Sequence, residues 1–410
     1  MTFFGSRWTQ RPEHVRELDP CDLPAGFRAA GVAAGIKPEG LDVGLLVSEA
    51  DDTVSAARFS SSGLLGAPVV VTQQSEVSRL RAVVASSGNA NVADGQRGLD
   101  TAQASQAAAA DALGVSAHQV GLASTGVIGR ELPRESLLAG VRRAAAELGA
   151  HADHFSRAIM TSDRAPKRAC LEVELERGTV RLAAQAKGAG MISPRFATMF
   201  CFVETDAALD AESLDLLTRV CVARSFERIS VDAQLSTSDT VIVFANGRAG
   251  VAVEQRTRDE LLLGEALDAL MRQLALEIVA DGEGARRIAR VVVRGDPDRV
   301  EAVARAVADS PLVKTALHGA DPNFGRILCA TGMSLRGEPF LVDLEIEGRQ
   351  VASGGVALEI DGDEWRTLEQ AVQGDEVEYV LTIPGDGGET ELFFSDLSHD
   401  YVTLNAEYTT

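Results

Sequence analysis

Apolar and polar positions repeat along this chain with two periods, and the switches between them mark the elements. Between residues 26 and 88, short apolar runs broken by turns predict strands over 43–47, 53–59, 69–72 and 82–85. Residues 100–113 are alanine-rich and helical by propensity. A helical period follows over 132–148, with Pro133 suited to a first turn. Next comes a β-rich middle, where 171–175 and 179–182 read as a hairpin around Glu176, Arg177 and Gly178. The glycine-rich stretch 187–190 leads into 198–204, a strongly apolar strand candidate.

The second half alternates less regularly. Residues 210–227 form an amphipathic helical pattern, and 240–245 and 250–254 read as strands joined by the turn Asn246-Gly247. The longest helical pattern covers 256–279 and ends in Ala280-Asp281-Gly282. A strand over 288–293, a helix over 296–309 and a β-rich C-terminal third complete the chain, while residues 1–20 read as a loose arm. Strands and helices mix without strict βαβ alternation, so α+β layers are expected in place of a doubly wound parallel sheet. A chain of 410 residues has room for two or three structural units.

Composition narrows the function classes. The chain is 45% hydrophobic and 24% charged, as in ordinary globular proteins. No apolar run reaches the roughly 18 residues of a membrane span, and the N-terminus lacks the apolar core of a signal peptide. The cytoplasm is the expected address, with no membrane partner. A net charge of -21 disfavours a nucleic-acid backbone as partner, yet leaves room for a small anion held by local donors. The cysteines Cys21, Cys170, Cys201, Cys221 and Cys329 are scattered and form no CxxC pair, which predicts reduced thiols and no cysteine-based zinc site. His151 and His154 lie three residues apart without nearby ligands in a metal pattern, so no metal and no cofactor are expected.

The familiar catalytic motifs fail as well. Lys187-Gly188-Ala189-Gly190-Met191 lacks the spacing of a phosphate loop, and no Gly-x-Ser-x-Gly elbow occurs. What stands out is small and hydroxyl residues in three segments. They are Ala123-Ser124-Thr125-Gly126-Val127-Ile128-Gly129, Thr161-Ser162-Asp163, and the run from Lys187 to Phe200. Taken singly, each reads as well as turn glycines and capping hydroxyls.

Together they carry a resemblance. Lys187-Gly188-Ala189-Gly190-Met191-Ile192-Ser193-Pro194, continuing to Ala197-Thr198-Met199, is similar to the signature of the ornithine acetyltransferase family, the bifunctional acetyl-recycling enzymes of arginine biosynthesis. The segment from Gly26 to Lys37 resembles the same family, as do Ser87-Gly88-Asn89-Ala90-Asn91 and Ser236-Thr237-Ser238-Asp239-Thr240. So do Asp281-Gly282-Glu283-Gly284-Ala285, the run from Ser310 to Arg326 and the C-terminal tail to Thr410. The likeness runs in family order from about residue 24 to the end.

That resemblance implies an N-terminal-nucleophile-like α/β sandwich with a smaller C-terminal α/β portion. It further implies self-cleavage between Ala197 and Thr198, giving an α piece (1–197) and a β piece (198–410) that stay intertwined, two of each per assembly. Thr198 would carry acetyl from N-acetylornithine to glutamate. Its freed amine, with an unperturbed pKa of roughly 7.7–8.0, would serve as its base. The implied oxyanion donors are the Thr125 side chain and the Gly126 N–H, and the implied substrate residues are Thr161, Lys187, Thr198, Glu283, Asn405 and Thr410. Lys187 would hold an α-carboxylate and Glu283 the δ-ammonium of ornithine; without the resemblance, Glu283 is an acidic turn after a long helix. No cofactor is implied, although acetyl-CoA serves some members as a co-substrate.

Five residues depart from the family pattern. Arg195-Phe196 stands where Asn-Met is frequent, Ser86 replaces an asparagine, Ser162 a threonine and Phe324 a tryptophan. Such changes fit a paralogue of specialised metabolism with another amino-acid acceptor. A second rival is an N-terminal-nucleophile amidohydrolase, in which water resolves the same ester. A third is a binding protein that never cleaves.

Overall fold

The computed structural model describes residues 2–193, 199–337 and 339–407. Its first unit has four layers. A four-stranded sheet runs in the order Phe27–Val32, Val43–Ser48, Ala82–Asn89, Val120–Val127. A six-stranded sheet runs in the order Val15–Glu17, Lys167–Leu175, Gly178–Lys187, Phe200–Thr205, Thr240–Ala245, Val54–Phe59. The two sheets face each other across a core that includes Leu46, Val83 and Ala85 on one side and Phe200, Phe202 and Phe244 on the other.

Strand alternation explains the layering. In the apolar run after residue 198, Phe200 and Phe202 point into the inter-sheet core, while Met199, Cys201 and Val203 point to the opposite face. That outer face is covered by the helices Ala211–Arg224 and Arg258–Ala280. The outer face of the four-stranded sheet is covered by Ala67–Gln73, Gly95–Leu113 and Arg134–Ala146. The result is helix, sheet, sheet, helix, an α/β layering as the residue pattern led one to expect.

The C-terminal unit is a seven-stranded sheet. Its order is Ile229–Ser230, Gly388–Ser395, Ile288–Gly295, Glu376–Thr382, Asp343–Ile346, Arg349–Ser353, Val356–Ala357. Helices Val300–Ala308 and Phe324–Ser334 pack on it around a second core. Helix Arg258–Ala280 touches both units, which fixes the turn at its C-terminal end between them.

Four expectations need correction. Residues 69–72 belong to the helix Ala67–Gln73: Pro68 sits in its first turn, and Thr72 Oγ1 donates to Pro68 O at 2.8 Å across one helical turn. The β-branched run favoured a strand, and packing against the sheet overrode that preference. Residues 250–254 form only a bridge between Ala208 and Ala252. The supposed loose arm contributes the strand Val15–Glu17, paired antiparallel with Lys167–Leu175. The C-terminal third is mixed, with helices such as Pro311–His318 and Gly362–Ala371 beside its strands.

Candidate active site

The cleft begins where two parallel strands end together. Ala82–Asn89 and Val120–Val127 pair with Ser87 opposite Thr125 and Gly88 opposite Gly126. Gly126 has φ +126°, and a Cβ there would lie 2.4 Å from the Gly88 carbonyl carbon. Only glycine fits, so the backbone of Gly126 is free to face the cleft, an open recess of about 560 Å³ including its mouth. Thr161, Ser162, Ser236, Ser238, Glu283 and Asn405 line its other sides.

Lys187, the last residue of the strand Gly178–Lys187, stands behind Thr125. Its side chain is 1% exposed, and its Nζ donates to Thr125 Oγ1 at 2.7 Å. The ammonium also sits 5.2 Å from the centre of the Phe200 ring. Burial pulls its pKa down to about 8, against the pull of Asp163 and Asp239 toward the charged form. The resemblance implies that Lys187 holds an α-carboxylate; in the structure its ammonium lies against Thr125, which lines the cleft. Because Thr125 Oγ1 accepts from Lys187, the Thr125 hydroxyl proton is left to donate elsewhere.

Glu283 is fixed from four directions. Its N–H donates to Ala189 O at 2.8 Å. Its carboxylate accepts from Ser162 Oγ at 2.7 Å and from Asn405 Nδ2 at 2.7 Å. A Cβ on Gly190 would come within 2.6 Å of that carboxylate, so the glycine makes room for it. Asn405 arrives on the C-terminal helix His399–Glu407. That helix closes on Gly284, where an added Cβ would meet Ser398 Oγ and Tyr401 N at 2.5 Å.

Thr161 is placed by its own N–H, which donates to Asp163 Oδ2 at 3.0 Å. On the opposite side, Met199 N donates to Asp239 Oδ1 at 3.0 Å, and burial pushes the Asp239 carboxyl well above the usual range. Thus Thr125, Gly126, Thr161, Glu283 and Asn405 meet at one cleft with Lys187 behind it. Ala197, Thr198 and Thr410 lie outside the described residues. Among the described residues no group of three His, Cys, Asp or Glu side chains is arranged to hold a metal ion.

The ArgJ family model matches residues 28–410. The arginine biosynthesis bifunctional protein ArgJ of Nitratidesulfovibrio vulgaris is 41% identical over 394 residues, covering 94% of this chain and 98% of that protein. The chain belongs to the ArgJ family. A glutamate N-acetyltransferase of Methanocaldococcus jannaschii is 37% identical over 401 residues, covering 94% of this chain and 98% of that protein. Among solved structures, ornithine acetyltransferase from Mycobacterium tuberculosis, complexed with ornithine, shares 37% sequence identity with a TM-score of 0.41. It covers 45% of this chain and 99% of that one.

Several members of this ArgJ-family cleft escaped the sequence reading. Ser162 stood out only as a departure from a usual threonine, yet among the described residues it is one of two side-chain donors to Glu283. Asp163 and Asp239 closed quoted motifs without a role, because burial cannot be read from one sequence. Gly190 passed as a turn glycine, whereas its missing side chain is what Glu283 occupies.

Proposed function

We propose that this ArgJ-family chain is a self-cleaving glutamate N-acetyltransferase, moving acetyl from N-acetylornithine to glutamate through Thr198. The observation that carries this reading is the meeting of Thr125 and Gly126 with Glu283 at one cleft. An oxyanion corner and a carboxylate receptor for an amino-acid cation stand there on opposite sides. The activity named for the Methanocaldococcus jannaschii relative supports the same reading.

In the maturation step, Thr198 Oγ attacks the Ala197 carbonyl carbon and the peptide C–N bond breaks, leaving an ester. Water hydrolyses the ester, releasing the Ala197 carboxylate and a free α-amine on Thr198. In turnover that amine takes the proton of its own hydroxyl as Oγ attacks the acetyl carbonyl of the donor. The tetrahedral oxyanion accepts hydrogen bonds from the Thr125 hydroxyl and the Gly126 N–H, and Lys187 strengthens the first by its charge. The proton passes to the departing ornithine amine, and acetyl stays on Thr198. The amine of glutamate then attacks this ester, N-acetylglutamate leaves, and the hydroxyl is restored. Glu283 pairs with the side-chain ammonium of the donor.

The cleaved pieces stay together because the six-stranded sheet interleaves strands from both sides of residue 197. Two α and two β pieces form the assembly. The setting is the cytoplasm; among the described residues no helix is long and apolar enough to cross a membrane. Incubating the purified protein with N-acetylornithine tests the reading. Beyond a first equivalent of ornithine per enzyme, ornithine and N-acetylglutamate should appear in equal amounts, and only with glutamate present. Ornithine release that ignores glutamate would point to a hydrolase.

A further inference from the structure

Behind the cleft lies a buried ionic chain that the reaction as described does not use. Asp163 has no exposed side-chain surface and Lys167 is 4% exposed in its side chain, with Lys167 Nζ 2.6 Å from Asp163 Oδ1. The same Nζ lies 2.6 Å from Asp281 Oδ2, in the turn that carries Glu283. Asp163 Oδ1 also accepts from Gly188 N at 2.7 Å, and Oδ2 accepts from Thr161 N at 3.0 Å. One carboxylate therefore ties down the residue after Lys187 and the residue that lines the cleft opposite Thr125.

Such a carboxylate has an electrostatic task as well. A lysine buried this deeply tends to lose its proton, and only nearby negative charge keeps it on. The titratable groups facing Lys187 are Asp163, Glu283 and Asp239, the last held toward its neutral form by burial, with Lys167 opposing them, and Asp163 pulls hardest. Those facing Asp163 are Lys167 and Lys187, together with Lys37, whose Nζ donates to Met160 O at 3.1 Å. Burial opposes ionisation of Asp163, but Lys167 and Lys187 overcome it and hold its carboxyl below the usual range. Asp163 is thus an anion wherever the enzyme works.

We propose that Asp163 is a positioning residue for acyl transfer: anchored by Lys167 and by the Gly188 and Thr161 amides, it keeps Lys187 charged behind Thr125 and so keeps the oxyanion corner strong. The proposal rests on the reading of Thr125 as an oxyanion donor. It gives the pH profile a structural author on each side. The Thr198 amine must be neutral to act as base and sets the acid limb, while Lys187 must be charged and sets the alkaline limb.

The test is the pH dependence of kcat/KM for ornithine release from N-acetylornithine by the mature protein, a profile that reports groups of the free enzyme. In the wild type, activity should fall on the alkaline side near pH 8. Lys187→Met should remove that limb from the residual activity. Asp163→Asn should move the limb down by about one pH unit or more, into the acid limb set by the Thr198 amine, so that the maximum of the profile falls and shifts to lower pH. Lys167→Met, which removes a competing positive charge, should move it up. A merely structural role for Asp163 would lower activity at every pH and leave the limb in place, which overturns the proposal. A limb that survives Lys187→Met would instead overturn the reading of Lys187 and Thr125. Should Asp163→Asn give no folded protein, the Lys167→Met profile decides alone: an upward shift supports the proposal, and an unmoved limb overturns it.

Discussion

Lys187 and Lys314 are buried alike, 1% and 3% exposed, and each ammonium lies 5.2 Å from the centre of a phenylalanine ring. Burial lowers the pKa of each to about 8. Their partners separate them. Lys187 donates to a hydroxyl whose residue lines the cleft, and hydroxyls reorient. Lys314 donates to the Ser395 carbonyl at 2.5 Å, deep in the C-terminal unit, with Asp309, Asp232 and Asp396 as its surrounding charges. Those carboxylates are committed elsewhere too: Asp309 to Ser230 Oγ at 2.6 Å and Asp396 to His318 Nδ1 at 2.7 Å. A perturbed buried lysine therefore does not mark a catalytic site by itself. What marks it is an acceptor that opens on a cleft and can pass the charge on.

The contrast can be attacked at several points. The largest effect should come from Thr125→Val, which cuts Lys187 off from the cleft. It should lower kcat about 10²–10³-fold, measured by ornithine release, with the circular dichroism spectrum unchanged. Gly190→Ala should come next. It forces the Glu283 carboxylate aside and raises KM for N-acetylornithine about tenfold, a change of roughly 1.4 kcal/mol.

Ser162→Ala should act in the same direction but less, about two- to fivefold on KM, because it removes a single exposed hydrogen bond. Ser162→Thr should restore the wild-type value. The smallest effect on turnover belongs to Lys314→Met, which should leave kcat/KM within about twofold, because its ammonium donates to a backbone carbonyl outside the cleft.

Stability against pH should show what the two lysines share. Each has a folded pKa of about 8, below its ordinary value of 10.5. Between these limits the unfolded chain binds more protons than the folded one, so this contribution to stability rises with pH through the window. Below pH 8 the full penalty of burying each charge is present. Denaturant unfolding at the two ends of the window should show a smaller rise in Lys314→Met than in the wild type, and likewise in Lys187→Met. Only the second variant should change the activity profile.

The fold was legible where the apolar pattern was strong. The continuous apolar run over 198–204 read as a strand, and Phe200–Thr205 is one, while the long helical pattern closed by Ala280-Asp281-Gly282 ended where the helix Arg258–Ala280 ends. Legibility failed where tertiary packing outvoted local preference, as in Val69-Val70-Val71-Thr72, which coils as a helix. In the site, Thr125-Gly126, Thr161, Glu283 and Asn405 were readable because their motifs stand in family order. Asp163 and Asp239 were not. An aspartate in a hydroxyl-rich segment looks like a cap until burial and its donors are seen. The partner of Lys187 was equally hidden, since no spacing links residue 187 to residue 125.

Acetyl transfer as proposed depends on an uncovered amine at Thr198, and intact mass under denaturing conditions tests that most directly. The wild-type protein should give two masses that break between Ala197 and Thr198, and Thr198→Ala should give only the full-length chain of 43.3 kDa. A wild-type sample that keeps the single full-length mass through prolonged incubation would contradict the mechanism, because the nucleophile would never gain its base.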